Sequence, residues 1–247
     1  MSDVFLSIII PAYNEASRLP KSLESLGTFL SHQSYTSEVV VVENGSQDGT
    51  YDTAIAFTEK YPQLRVLREK ERGKGRAVQT GMLSAQGEYR FMCDVDFSMP
   101  VEEINRFLPP HLTDFDIAIA SREAAGAKRY NEPTYRHLVG RFYNGLIRLL
   151  ALPGLHDTQC GFKCFRGDLA QEIFSCQTLS GWSFDVEVLF IARQRGYRIV
   201  EVPIPWYFNP ESKINVWRDS LHMAVDLLTI RRNQCQGKYR QCNDAKV

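Results

Sequence analysis

Residues 1–120 alternate short apolar runs with stretches of helical periodicity, and that alternation confines the chain to a mostly parallel sheet covered by helices. Residues 6–10, 39–42, 64–67, 89–93 and 117–120 read as strands, and their Val and Ile content suits strands buried on both faces. Residues 18–30, 50–61, 74–85 and 101–108 read as the intervening helices. The second half changes character, with a basic amphipathic helix at 135–150, a strand at 160–165, a helix at 184–194, a strand at 199–203 and a long amphipathic helix at 216–232. The pattern predicts one α/β domain over residues 1–233, with halves at 1–121 and 122–233 and a polar tail at 234–247.

Lys plus Arg equals Asp plus Glu at 29 each, so no whole-molecule field draws the chain to nucleic acid or lipid, and an anionic partner must be held locally. Cys93, Cys160, Cys164, Cys176, Cys235 and Cys242 form no paired CxxC cluster. Reduced thiols in the cytoplasm are therefore expected, rather than a zinc site or a disulfide framework. Every apolar run ends well short of the roughly 20 residues that span a bilayer, and the first residues lack the pattern of a secretion signal. The expectation is a cytoplasmic protein that lies on a membrane if it meets one.

The polar residues of unusual chemistry fall just after the strands, where ligands of open α/β sheets bind. Pro11-Ala12-Tyr13-Asn14-Glu15 follows the first strand and Glu43-Asn44-Gly45-Ser46-Gln47-Asp48-Gly49-Thr50 the second. Gly45 and Gly49 permit a tight turn, and Asp48 can cap the next helix. Arg72-Gly73-Lys74-Gly75-Arg76-Ala77 opens a helix, so its glycines and cations can approach a diphosphate. Asp94-Val95-Asp96 sets two carboxylates at i and i+2 where both can face one hard cation, with the Ser98 hydroxyl as a weaker ligand. Ser121-Arg122 ends the fifth strand, and a guanidinium there suits an anionic acceptor.

These segments resemble family 2 of the nucleotide-sugar glycosyltransferases, whose fold is the Rossmann-like GT-A arrangement. The resemblance implies that Pro11, Tyr13, Glu15 and Glu43 line a nucleoside pocket, that Lys74 meets the diphosphate, and that Asp94, Val95 and Asp96 meet the donor. Mg²⁺ or Mn²⁺ on Asp94, Asp96 and Ser98 is implied with it, Asp96 being the more direct ligand. The family often carries Asp-Asp-Gly-Ser where this chain has Glu43-Asn44-Gly45-Ser46. Asp157-Thr158-Gln159-Cys160-Gly161-Phe162-Lys163, Trp182-Ser183-Phe184-Asp185-Val186-Glu187 and Glu211-Ser212-Lys213-Ile214 are similar to the branch that glucosylates polyprenyl phosphates. Residues 1–121 are then the donor half and 122–233 the acceptor half.

That branch implies an inverting transfer of a sugar, glucose from UDP-glucose on the nearest likeness, to a polyprenyl or dolichyl phosphate, with Asp96, Arg122 and Asp185 catalytic. Arg122, Arg136 and Gln159 are the expected acceptor ligands. A lipid phosphate is already anionic near neutral pH and needs little base catalysis, so Asp185 either acts as a base or orients its neighbours. The rival readings are a transferase acting on a sugar hydroxyl and a non-catalytic nucleotide-sugar-binding subunit. Leu138, Phe142, Leu146, Leu149 and Leu150 beside Arg136, Arg141 and Arg148 suit either a helix in the membrane interface or one packed on the sheet. Arg231, Arg232, Lys238 and Arg240 would each add about 1 kcal/mol of attraction to anionic lipid near the surface. A membrane-anchored partner is a further expectation.

Overall fold

A computed structural model describes residues 4–209 and 216–242; the side chains of 136, 216–221 and 241 are outside that description. The Glu211 to Ile214 likeness falls outside it as well. The first half runs β1 (Leu6–Ala12), α1 (Leu19–Ser31), β2 (Ser37–Glu43), α2 (Thr50–Lys60), β3 (Leu64–Arg68), α3 (Lys74–Ser84) and β4 (Tyr89–Cys93). A 3₁₀ helix, Val101–Phe107, stands where an α-helix was expected, and β5 (Ile117–Ser121) follows it. Next come β6 (Lys128–Tyr130), α4 (Thr134–Leu150), β7 (Phe162–Arg166), α5 (Gly167–Ser175) and α6 (Phe184–Gln194). The chain closes through β8 (Ile199–Pro203), β9 (Pro205–Tyr207), α7 (Val216–Cys235) and α8 (Lys238–Gln241). The sequence pattern had not indicated β6, β9, α5 or α8.

Seven strands form one sheet in the order β3-β2-β1-β4-β7-β5-β8, with β6 and β9 in a separate parallel pair. All neighbours in the large sheet are parallel except β7, which runs antiparallel to both β4 and β5. The sheet is mixed α/β and mostly parallel, as the sequence pattern implies. Successive strand residues point to opposite faces, so each face gathers its own core. Ile9, Val40, Val42, Met92 and Phe165 pack with α3, α5 and α6 on one side. Ile8, Ile10, Val39, Val41, Phe91 and Phe162 pack with α1 and the 3₁₀ helix on the other.

The helices follow the same logic. In α1, Leu19, Leu23, Leu26 and Leu30 recur at helical spacing and are buried, and Pro20 sits in the first turn, where it removes no helical bond. Every residue of α6 from Phe184 to Ala192 is buried, the pattern of a helix enclosed on all sides. The turn before α2 holds Gly45 and Gly49 at φ of 70° and 80°, and Asp48 Oδ1 accepts the Thr50 N–H at 3.2 Å. The turn is as expected, whereas the N-cap position is Gly49 and Asp48 stands one residue before it.

The cysteine expectation is corrected: Cys176, just after α5, is joined by a disulfide to Cys242, just after α8. The two are 66 residues apart, and only the return of α8 onto α5 brings them together, which spacing cannot reveal. Cys93, Cys160 and Cys164 are buried thiols, and Cys235 is an exposed one.

Gly81 marks the tightest contact of α3 on the sheet, where an added Cβ would lie 2.4 Å from Ile9 Cγ2 and 3.0 Å from Val42 Cγ2. Overpacking of this kind costs about 1–3 kcal/mol. Gly81→Ala is expected to lose that much unfolding free energy in a urea titration.

Candidate active site

Loops at the carboxyl edge of the sheet enclose a cavity of about 780 Å³, within the usual size range of small-molecule sites. Pro11, Tyr13, Glu15, Arg18 and Asn44 form one wall. Arg18 clamps the Glu15 carboxylate, Nε donating at 2.7 Å and Nη2 at 2.6 Å. One face of the Tyr13 ring is covered by Arg72, whose guanidinium carbon lies 4.3 Å from the ring centre and whose Nη2 donates to the phenol oxygen.

Glu43 departs from the expected wall position. Its carboxylate is 2% exposed and is occupied in closing its own turn, accepting the Ser46 N–H and the Arg68 Nε–H, the latter at 3.3 Å. Asn44 faces the cavity instead. The Asn44 amide donates to Glu71 O at 2.7 Å and accepts the Gly73 N–H at 2.7 Å. A carboxylate has no hydrogen to donate, so the departure from Asp-Asp-Gly-Ser has a structural reason.

Asp94, Val95 and Asp96 follow β4 and form the floor. Lys74 Nζ lies 2.6 Å from Asp94 Oδ1 and 5.2 Å from the centre of the Trp182 ring. Burial opposes the Lys74 charge, but Asp94 and Asp185 more than offset it, so the ammonium is held above its usual range. Asp96 is pushed up, first by burial and then by the Asp94 charge. A carboxylate in this condition is stabilised by an added cation. The Ser98 N–H donates to Asp96 Oδ1 at 3.3 Å, which keeps Ser98 at the edge of this floor. Among the described residues no three His, Cys, Asp or Glu side chains are arranged around a common metal position. The residues therefore fit a hard cation that takes its remaining ligands from phosphate oxygens.

The opposite wall comes from the second half. Gly161 packs on Asp94, accepting its N–H at 3.1 Å, and a Cβ at 161 would meet Asp94 Oδ2 at 2.0 Å. Arg122 is gripped by Asp157, with Nε at 2.6 Å from Oδ2, Nη2 at 2.9 Å from Oδ1 and the backbone N–H at 2.9 Å from Oδ2. The Arg122 guanidinium carbon is 5.3 Å from the centre of the Trp206 ring. Gln159 lines the same wall, its N–H donating to Asp157 Oδ1 at 3.3 Å. Asp185 also lines the cavity, and Lys163 Nζ reaches its Oδ1 at 2.5 Å and Cys160 O at 2.6 Å. Burial pushes the Asp185 carboxyl up, with Lys163 and Lys74 pulling against it. The Arg136 side chain lies outside the described residues.

The structure thus brings Pro11, Tyr13, Glu15, Lys74, Asp94, Val95, Asp96, Ser98, Arg122, Gln159 and Asp185 to one cavity. Sequence reasoning placed Asn44 at the crevice and gave no role of their own to Asp157, Lys163 or the two tryptophans. Lys163 carried a signal, because a lysine within the apolar strand pattern Phe-Lys-Cys-Phe needs an ionic partner when buried. Asp157 carried none, since its pairing with Arg122 spans 35 residues.

The cavity continues along Val139, Gly140 and Tyr143 of α4 and Met223 of α7. Helix α4 is apolar on two sides. Tyr143 and Ile147 are buried, while Phe142 and Leu149 are 78% and 80% exposed, next to exposed Arg141 and Arg148. Val225 and Leu228 of α7 are 61% and 64% exposed. The packed-helix alternative is met by Tyr143 and Ile147, while Phe142 and Leu149 lie on an exposed face of the same helix.

Burial alone would raise the Asp157 carboxyl, yet Arg122 draws it down to about 2. A depressed folded value contributes stability that is full above the unfolded value and is lost as pH falls through the folded one. Asp157→Asn should trail the wild type by a constant margin above about pH 4, and that margin should narrow by about 2 kcal/mol near pH 2. Urea unfolding across this pH range measures it.

The model of glycosyl transferase family 2 matches residues 7–174. A dolichyl-phosphate beta-glucosyltransferase of Trichomonas vaginalis is 34% identical over 241 residues, covering 93% of this chain and 71% of that protein. The human protein of that name is 33% identical, with 95% and 77% covered, and the Saccharomyces cerevisiae one is 30% identical, with 96% and 77% covered. Among solved structures, mannosyl-3-phosphoglycerate synthase from Rubrobacter xylanophilus superposes with a TM-score of 0.70 at 17% identity, over 95% of this chain and 76% of that one. Glucosyl-3-phosphoglycerate synthase from Mycobacterium tuberculosis, in complex with Mn²⁺ and UDP-glucose, gives 0.65 at 17% identity, over 94% and 79%. These likenesses extend the GT-A arrangement to nearly the whole chain, and the chain belongs to glycosyl transferase family 2.

Proposed function

We propose that the protein transfers glucose from UDP-glucose to the phosphate of a dolichyl or other polyprenyl phosphate, with inversion, at a membrane surface. The observation that carries this reading is one cavity that joins three chemistries: the Asp94, Asp96 and Lys74 cluster, the Arg122–Asp157 pair, and an apolar wall on α4 and α7. A lipid-linked phosphate needs all three. The names of relatives at 30–34% identity along 93–96% of the chain support the choice of acceptor and sugar.

In this mechanism Lys74 and the N-terminus of α3 receive the donor diphosphate, since both favour negative charge. Tyr13, Glu15 and Asn44 line the nucleoside end. Asp94 and Asp96 would hold Mg²⁺ or Mn²⁺, with Ser98 at the edge, and the ion when bound supplies Lewis-acid stabilisation of the diphosphate charge. Arg122, fixed by Asp157 through Nε and Nη2, offers its Nη1 edge to the acceptor phosphate, with Gln159 beside it.

An acceptor oxygen attacks the anomeric carbon as the bond from that carbon to the diphosphate oxygen breaks, and the electron pair leaves with the nucleotide. An α-linked donor then yields a β-linked product. The acceptor is already ionised, so positioning and electrostatics account for most of the rate. Asp185, tied to Lys163, orients the sugar and its surroundings. Its engagement with a buried ammonium argues against a free base and hence against a hydroxyl acceptor.

Transfer of radiolabelled glucose from UDP-glucose to a polyprenyl phosphate, with GDP-mannose as a parallel donor, tests the reading. Label should enter a mild-acid-labile lipid, vanish with chelator and return with Mg²⁺ or Mn²⁺. Asp96→Asn should lower kcat by at least about 100-fold, the scale of losing one preorganised electrostatic contact. Transfer only to a free sugar hydroxyl would overturn the lipid acceptor.

The exposed apolar side of α4, with Arg141 and Arg148 beside it, supports peripheral membrane binding. No helix among the described residues is long and apolar enough to cross a bilayer. The protein should float with vesicles containing anionic lipid and release as salt rises. Phe142→Ser with Leu149→Ser should weaken that partition roughly tenfold or more, by removing two exposed apolar anchors. Equal flotation of the double variant would remove α4 from the contact.

A further inference from the structure

The loop of residues 177–182, between α5 and α6, lies directly against the glycine turn that opens α3. Gln177 Nε2 donates to Gly75 O at 2.9 Å, and the Arg76 N–H to Ser180 O at 3.3 Å. No side chain fits between them. A Cβ on Gly73 would lie 2.3 Å from Ser180 O, and one on Gly75 would lie 2.8 Å from Leu179 O. The loop ends on Trp182, whose ring flanks Lys74 Nζ. The position of the Lys74 ammonium therefore depends on where this loop is held.

A buried carboxylate outside the reaction chemistry holds it. Glu187, in the first turn of α6, has 0% exposure. Its Oε2 accepts the N–H groups of Thr178 at 2.9 Å and Leu179 at 2.7 Å, while Oε1 accepts the Thr178 hydroxyl and the Tyr239 hydroxyl, the latter at 2.8 Å. Asn233 Nδ2 adds a bond to Thr178 Oγ1 at 3.0 Å. Charge-assisted bonds of this kind are strong and directional. Tyr239 belongs to α8 and reaches the loop through this carboxylate, whereas Asn233 of α7 bonds the loop residue Thr178 directly.

We propose that Glu187 and Tyr239 are positioning residues for Lys74, fixing the 177–182 loop so that the ammonium faces the donor diphosphate. This rests on the donor reading given above. Tyr239→Phe removes one hydrogen bond and keeps the ring, whereas Glu187→Gln turns an acceptor into an NH₂ group facing backbone donors. A merely structural role would lower thermal stability and leave the affinity of the folded fraction for the donor unchanged.

The test is calorimetric titration of uridine diphosphate into the full chain and its variants, together with donor and acceptor KM. Tyr239→Phe should weaken uridine diphosphate binding about 3- to 10-fold, the scale of one hydrogen bond, and Glu187→Gln should weaken it more. Donor KM should rise while acceptor KM stays constant. In a Lys74→Ala background Tyr239→Phe should add nothing, because both act through one group. Unchanged binding in folded Tyr239→Phe, or an equal loss with and without Lys74, would overturn the positioning role. A wild-type chain that binds no uridine diphosphate would overturn the donor reading itself and this role with it. Should Glu187→Gln fail to fold, Tyr239→Phe alone decides.

Discussion

The antiparallel entry of β7 between β4 and β5 is the constraint on which the cavity depends. A strand that runs against its neighbours begins at the edge where they end, so the residues leading into β7 arrive beside those leaving β4 and β5. Asp157, Gln159 and Gly161 are thereby brought to Asp94 and Arg122. The ladder extends one step past the strand, with the Asp94 N–H bonded to Gly161 O. The pleat then sorts the side chains: Phe162 and Cys164 enter one core and Phe165 the other. Lys163 shares the face of Phe165, which is the face that α6 covers, and so it meets Asp185. A parallel β7 would carry all of these groups to the far edge of the sheet.

The second half is stiffened by three buried carboxylates, each balanced differently. Asp157 takes both nitrogens of a guanidinium fork, Asp185 takes a single ammonium, and Glu187 takes neutral donors. Buried charge is costly unless its partners are held in good geometry. Each pairing therefore penalises alternative arrangements of the wall it belongs to. The fork determines how Arg122 lies, and the ammonium determines which way Asp185 can turn. Neither residue has the freedom that a motif read in isolation suggests.

The fold was legible where burial is local and periodic. The five strands of the first half and the helices between the first four of them appear at the expected places, because strands inside a parallel sheet have to be largely apolar. The short strands β6 and β9 escaped notice, since three residues establish no period. Helix α5 escaped as well, opening on Gly167 and Asp168 without a long apolar stripe. The cavity-lining segments after β1 and β4 were readable because each directly follows its own strand. Glu43 misled because its charge closes a local turn, a use that the same residues in the same order do not distinguish from ligand contact. The pairs Arg122–Asp157 and Lys163–Asp185 depend on how strands are ordered in the sheet, and order is not written in any one segment.

The bond between Cys176 and Cys242 closes a loop that contains α6, β8, β9, α7 and α8. Much of its influence falls on the unfolded chain rather than on native contacts: by the chain-entropy account a loop of this size is worth about 4 kcal/mol of lost disorder. The C-terminal helices are thus tethered by topology as well as by packing. They can loosen, but they cannot drift away, and a backbone cut within the loop would leave a two-piece molecule still held as one covalent object.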